Sequence, residues 1–383
     1  MPQKGNRLRS VSVAAEPIQT EQYQALLKEK TAHIQDRFNG LGDFAAGMPL
    51  EVYPSKPEHY RMRAEFRLWH DDDDLFYAMF EAGNKRDPIR IENFPQASEK
   101  INELMQPLLA GVKRLPVLRY KLFQMDFLSS QRGEILVSLL YHKQMGDDWL
   151  AAAEELRQEL GINIIGRARK QKHVLGQGYI METLQVGGKE YHYQQVENAF
   201  TQPNASVNEQ MIDWACESVS RFGPSEKPDL LELYCGNGNF TLPLAGQFRK
   251  VMATEIAKSS VNSAHFNLEE NGIDNVTIVR LSSEEMTQAL AGTRPFRRLA
   301  GIDLKIYDFG TILVDPPRAG LDPDTLALVQ QFDQVIYISC NPDTLIDNLE
   351  QLSQSHELKR LALFDQFPYT HHAECGVVLQ KRK

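Results

Sequence analysis

From residue 207 onward the chain alternates short apolar runs with amphipathic stretches, and this rhythm constrains the fold more than any single motif does. Apolar runs at 230–233, 251–254, 276–279, 311–314 and 335–338 have the length of buried strands. Helical spacing fills the intervals at 207–221, 243–248, 259–271, 323–330 and 344–354. A βαβα order of this kind predicts an α/β domain with a doubly wound, mostly parallel sheet. Ligands of such sheets bind beyond the carboxyl ends of the strands, so the residues just after each apolar run are the ones to inspect.

The first half has a different texture. Tyr23, Leu26, Leu27 and Ile34 are spaced for a helix over 19–38. Alternation over 61–70, an acidic turn and a second run at 75–80 predict paired antiparallel strands. A helix at 98–109, strands at 120–128 and 135–142, a helix at 147–160, a strand at 162–167 and a hairpin turning at Gly187-Gly188 follow. With 383 residues there is chain enough for two cores. The expected division is an α+β domain over 1–197 and the α/β domain over 198–383, with helix 19–38 able to pack on the second.

The first strand of the α/β domain runs into Glu232-Leu-Tyr-Cys-Gly-Asn-Gly-Asn239. Gly236 and Gly238 let the backbone turn tightly and approach a ligand without a Cβ in the way. A dinucleotide fingerprint prefers a third glycine, and Thr241 stands in its place. The next strand ends at Glu255, an acid placed to take a ribose diol. With no cationic phosphate clamp in view, the pair suits S-adenosylmethionine better than a pyrophosphate. Asp315-Pro-Pro-Arg318 ends a later strand, where two prolines stiffen the turn and aim Asp315 into the crevice. Either segment alone could be an ordinary turn into a helix; their coincidence favours function.

Four cysteines occur, Cys216, Cys235, Cys340 and Cys375, with no CxxC pair and none in the first half. Neither a disulfide framework nor a zinc or iron–sulfur site is expected from them, and reduced thiols suit the cytoplasm. A buried thiol is the ordinary reading for Cys216 and Cys375, and Cys235 belongs to the glycine loop. Cys340 differs, because Ser339-Cys340-Asn341-Pro342 closes the strand after Asp315 and puts a nucleophile on the same edge. Near the carboxyl end, Phe367-Pro-Tyr-Thr-His-His-Ala-Glu374 offers Glu374 for acid–base chemistry, with His371 and His372 as loop-orienting residues. Adjacent histidines lack metal-ligand spacing, so no metal is expected.

No apolar run is long enough to span a bilayer, and residues 1–10 are basic with no apolar core behind them, so neither a membrane partner nor a secretory signal is expected. The net charge of −9 does not look like that of a nucleic-acid binder, but clustering matters more than the total. Arg167, Arg169, Lys170 and Lys172 fall in an acid-free stretch, and Arg61, Arg63 and Arg67 alternate so as to line one face of a strand. Taken alone, each cluster reads as a solvated face before it reads as a binding surface.

Ser-Cys-Asn-Pro, Asp-Pro-Pro-Arg, Phe200-x-Gln202-x-Asn204 and Phe-Pro-x-Thr-x-His-x-Glu together resemble the motifs of the RNA uracil C5-methyltransferase family, over the whole chain. The likeness is to its tRNA branch; the ribosomal branch carries an amino-terminal cysteine cluster for iron–sulfur, which this chain lacks. The resemblance implies a Rossmann-like class I methyltransferase domain preceded by an α+β RNA-binding domain. It implies S-adenosylmethionine-dependent C5-methylation of a uridine at position 54 in the T loop of tRNA, giving ribothymidine, and of the tRNA-like part of tmRNA, by a monomer. Under it Cys340 is the nucleophile that adds to uracil C6, and Glu374 removes the C5 proton. Gln202, Tyr234, Asn239, Glu255 and Asp315 contact S-adenosylmethionine, and Asp315 can also reach a uracil N–H. Phe123 is a candidate for stacking on a base, or equally a core phenylalanine. Three other readings stay open: a ribosomal RNA uracil methyltransferase, an amino-group methyltransferase using Asp-Pro-Pro, and an RNA-binding tRNA folding factor with secondary methylation.

Overall fold

The computed structural model describes residues 20–80, 87–224 and 228–382. The basic run at residues 1–10, with its expected lack of a secretory signal, lies outside the described residues. The chain forms two compact units, Pro57–Ile180 in one and Thr20–Lys56 with the chain from Met181 on in the other.

The larger unit is built on the predicted sheet. Its core strands, Asp229–Leu233, Lys250–Thr254, Val276–Val279, Phe309–Val314 and Gln334–Ser339, pair in parallel. Each is mostly apolar because both faces are covered, as a parallel sheet requires. The elements not foreseen complete one side. Glu374–Lys381 runs antiparallel between Gln334–Ser339 and His356–Phe364, and Leu50–Tyr53 adds a parallel edge strand to His356–Phe364. Eight strands result, with one reversed. Leu231, Leu233, Ile312, Val314, Val335 and Tyr337 are fully buried beneath the helices, and Ile34 and Phe38 of helix Thr20–Asn39 enter the same core.

The boundary between the units falls at 180/181 rather than at the expected 197/198. The physical reason is the hairpin Tyr179–Val186/Lys189–Val196, whose second strand hydrogen-bonds to helix Lys258–Glu270 and its cap. Asn267 Oδ1 accepts from the Gln194 N–H at 2.7 Å and Asn271 Oδ1 from the His192 N–H at 2.9 Å.

The smaller unit is α+β. Its seven-stranded sheet is antiparallel except where Ile135–Tyr141 and Asn163–Ala168 pair in parallel. Helices Glu99–Arg114 and Asp147–Leu160 cover one face, over Phe66, Met125, Phe127, Val137 and Leu139. Gly166 lies under this layer: a Cβ there would come within 2.3 Å of the Trp149 ring, so no larger residue fits.

Candidate functional site

Register alone gathers the expected site residues of the larger unit. Leu233 pairs with Thr254 on one side and Val314 on the other, so Tyr234, Glu255 and Asp315 leave their strands at one level. Val314 pairs with Tyr337, whose strand ends at Ser339, and Ser339 faces Cys375 of the reversed strand. Reversal is what matters here. The strand that begins at Glu374 starts at the edge where its neighbours end, and Cys340 and Glu374 are the next residues beyond the last pair, Ser339 with Cys375. Gln202, Tyr234, Asn239, Glu255, Asp315, Cys340 and Glu374 all line one cavity of about 590 Å³.

Local chemistry holds each loop. The glycine loop turns through positive φ at Tyr234, Gly236 and Gly238, and a Cβ on Gly238 would meet Leu242 at 2.5 Å. The Glu255 carboxylate accepts from the Gly236 N–H at 3.1 Å and the Ala257 N–H at 2.7 Å, which fixes its orientation across the loop. The Tyr234 hydroxyl donates to Ser283 Oγ at 2.6 Å. Asn239 and Asn208 exchange reciprocal amide bonds at 2.8 and 2.9 Å, and the Asn239 carbonyl accepts from the Tyr193 hydroxyl. The two strand-end turns are tied together: Asn341 Nδ2 donates to the Arg318 carbonyl at 2.9 Å, while Asn341 Oδ1 caps helix Pro342–Leu352. Tyr193, Asn208 and Ser283 had no part in the sequence reading, because a partner of a site residue leaves no motif of its own, and Asn341 entered it only as a member of the Ser-Cys-Asn-Pro motif, with no role assigned.

Electrostatics single out the same edge. Burial, then the Glu374 and Asp315 carboxylates, push the Cys340 thiol up to about 11, against the pull of Arg318. Burial likewise lifts Asp315 to about 7, and burial with the Asp315 charge holds Glu374 well above the carboxylate range. Two carboxylates and a thiol near one another make it costly for all three to be charged at once. Cys235 is buried, and Cys216 and Cys375 do not line the cavity. His371 and His372 are exposed and also lie off the lining. Among the described residues no cluster of His, Cys, Asp and Glu could hold a metal, and no helix is long and apolar enough to cross a membrane.

The lining fits S-adenosylmethionine. Its carboxylates, Glu255, Asp315 and Glu374, outnumber Arg318, which suits a cationic ligand and not a pyrophosphate. Gln195 Oε1, on the same wall, is a buried acceptor with no hydrogen-bond partner among the described residues.

On the smaller unit the basic residues fall in register. Arg67, Gln124, Leu140, Arg167 and Lys172 are successive cross-strand neighbours and therefore share the face opposite the helices. Arg63 is on that face too. Phe123 occupies a register shift between Leu122 and Gln124, is half-buried, and stacks on His142 with centroids 4.0 Å apart at 15°. Arg169 and Lys170 make the exposed turn between Asn163–Ala168 and Gln171–Leu175.

A sheet with one reversed strand, a glycine loop, an acid at the next strand's end and an acidic cavity over them define a class I, S-adenosylmethionine-dependent methyltransferase. The sequence profile of the tRNA (Uracil-5-)-methyltransferase family matches residues 22–382, and the chain belongs to that family. A tRNA/tmRNA (uracil-C(5))-methyltransferase of Pseudomonas savastanoi pv. phaseolicola is 52% identical over 366 residues, covering 96% of this chain and 99% of that protein. One from Shigella flexneri serotype 5b is 54% identical over 369 residues, covering 95% and 98%. The solved tRNA (uracil-54, C5)-methyltransferase of Pyrococcus abyssi, in complex with S-adenosyl-L-homocysteine, has a TM-score of 0.69 at 20% identity, covering 93% of this chain and 83% of that one, a likeness of fold.

Proposed function

We propose that this enzyme methylates C5 of the uridine at position 54 in the T loop of tRNA, and the matching uridine of tmRNA, through a covalent bond from Cys340 to uracil C6. The observation that carries the reading is that Cys340 and Glu374, the next residues beyond the last pair, Ser339 with Cys375, line one cavity.

Uracil C5 is a weak nucleophile until a thiolate adds to C6. Cys340 gives up its proton to water, its sulfur forms that bond, and the C5–C6 electrons move into an enolate whose oxygen needs polar company. S-adenosylmethionine supplies an electrophilic sulfonium methyl, which C5 takes as the carbon–sulfur bond of the donor breaks. Glu374 then accepts the C5 proton, the C5–C6 double bond re-forms, and the Cys340–C6 bond breaks to free the thiolate. The high affinity of Glu374 for a proton suits this last role, and positive charge brought in with the donor favours the ionised forms of Asp315 and Glu374. Glu255 is placed for the ribose; Gln202, Tyr234 and Asn239 line the remaining contact surface; Asp315 serves either the donor or a uracil N–H.

The smaller unit is read as the RNA-binding domain and the larger as the catalytic one. A loop base must leave its stack, at a cost of a few kcal/mol, which phosphate contacts and aromatic stacking offset. Arg67, Arg167 and Lys172 supply cations in one row, and the Phe123–His142 pair is a ready platform for a base. The protein is read as a cytoplasmic monomer.

The test is to incubate the protein with methyl-labelled S-adenosylmethionine and unmodified tRNA, digest the RNA and locate the label. A single 5-methyluridine in the T loop is expected; label on an amino group, or in ribosomal RNA in preference to tRNA, would overturn the reading.

A further inference from the structure

Helix Thr20–Asn39 belongs to the larger unit, and one face of it carries polar groups into the interior. Lys30 Nζ donates to Asp365 Oδ1 at 2.6 Å and to the Phe367 carbonyl at 3.0 Å, with side-chain exposures of 8% for Lys30 and 1% for Asp365. Seven residues earlier and so on the same face, the Tyr23 hydroxyl accepts from the Ser55 N–H at 2.8 Å, and its ring lies 5.6 Å from that of Tyr369.

These interactions converge on one segment, the connection 365–373 between His356–Phe364 and the strand that begins with Glu374. Phe364 and Glu374 pair across the ladder, so whatever fixes residue 365 fixes the neighbour of the Glu374 backbone. Its backbone also donates to the Tyr53 carbonyl at 2.9 Å, and the next side chain, Gln366, accepts from the Asn204 N–H at 3.2 Å. Tyr369 has φ +63°, a costly conformation for a side chain with a Cβ, and it persists only when its surroundings over-determine it. A buried ion pair is a poor source of stability, since the desolvation of both charges offsets most of their attraction. Its use lies in specifying a geometry.

We infer that Lys30 and Asp365 are positioning residues for Glu374, holding the 365–373 connection so that its carboxylate meets the C5 proton. The inference rests on Glu374 being the base. Neither residue lines the cavity; the pair acts on the step that releases product and leaves binding and methyl transfer largely alone. A helix from the start of the chain thus sets a catalytic distance at its end.

The experiment compares Lys30→Met/Asp365→Asn, which removes both charges and strands neither, with wild type and with Glu374→Gln. The double variant should fold and keep KM values for S-adenosylmethionine and tRNA within about twofold of wild type. Its turnover should fall about tenfold, and the share of enzyme trapped as methylated covalent adduct should rise several-fold. A merely structural pair would not move that share. If Glu374→Gln accumulates adduct and the folded double variant partitions as wild type does, the positioning role fails while the base stands. If Glu374→Gln accumulates none, the reading of the base is what fails. An unfolded double variant also overturns the inference, because the pair would then hold the domain together and not the loop.

Discussion

In the parallel sheet Tyr234, Glu255, Asp315 and Cys340 stand just past strand ends and Glu374 at a strand start, whereas in the antiparallel sheet Arg63, Arg67, Arg167 and Lys172 stand along the strands on the face opposite the helices. The first arrangement concentrates function in turns whose backbone needs particular residues: glycine at positive φ, paired prolines, an asparagine cap. The second spreads it over positions that any solvated strand could fill with a cation. One is suited to chemistry at a point, where loss of a single group is severe. The other is suited to adhesion, where each group contributes a little. The contrast can be broken by experiment at four strengths.

The largest effect belongs to Cys340. Its replacement by alanine should lower methylation on the order of 10⁴-fold or more, since no other group at the edge can activate C5. RNA carrying 5-fluorouracil should trap the wild-type enzyme in the presence of S-adenosylmethionine, because fluorine cannot leave as a proton. The band should appear on a denaturing gel, and a Cys340→Ala protein that still forms it would remove the nucleophile from this position.

Next comes Glu374→Gln. Loss of a general base costs about 10²–10⁴-fold, so free methylated tRNA should fall by that much while Cys340 still adds and C5 still takes its methyl. The signature is a covalent complex that already contains the methyl group, read by label retained with the protein. A folded variant lacking any adduct would assign Glu374 to binding instead.

How much of this was legible follows the same contrast. The strands at 230–233 and 276–279 and the turns at Gly236, Asp315 and Cys340 were readable because turn chemistry is local and the residues are contiguous. The edge strand Leu50–Tyr53 was not: it pairs with His356–Phe364, some three hundred residues on, and a parallel pairing leaves no mark near either partner. The same distance hid Lys30 and Asp365, an ordinary lysine on a helix and an ordinary aspartate at a strand's end until the fold joins them. On the smaller unit the alternation of Arg63 and Arg67 gave away their face, but the row that joins Arg67 to Arg167 and Lys172 exists only in the register. For Phe123 the sequence left core and stacking equal, since a register shift re-aims a side chain without changing composition.

A third effect sharpens what the strand-end arrangement costs. Glu232 sits inside strand Asp229–Leu233, fully buried, with one carboxylate oxygen lacking a hydrogen-bond partner among the described residues, and burial, with the Asp315 charge nearby, pushes it from the ordinary 4.5 up to about 8. Folding therefore raises its proton affinity. Below pH 4.5 both states are protonated and the stability is fully present; as pH rises towards 8 the unfolded chain ionises, the folded one resists, and stability is lost. Glu232→Gln should change little at pH 5 and stabilise by about 3 kcal/mol at pH 8, or about 10²-fold in the unfolding equilibrium. Urea titrations at the two pH values decide it; equal gains at both would mean that Glu232 is ionised in the folded protein without penalty.

The smallest effect concerns the turn beside the basic row of the smaller unit. Arg169 and Lys170 are exposed at the hairpin tip next to Arg167 and Lys172. If each neutralises a phosphate, replacing both by serine should weaken tRNA binding several-fold. The slope of log affinity against log salt should fall by about one unit, or somewhat less, for each phosphate no longer neutralised. The weakening should be similar for any RNA, because phosphates carry no sequence. Binding of S-adenosylmethionine, and the turnover reached at saturating tRNA, should stay as in wild type, since the proposed nucleophile and base, Cys340 and Glu374, are in the other unit. Titrating tRNA at several salt concentrations separates this from a merely solvated turn, which predicts no change in affinity or slope. A fall in saturated turnover with an unchanged slope would blur the division between adhesion and chemistry, and would place part of the chemical machinery on the antiparallel sheet.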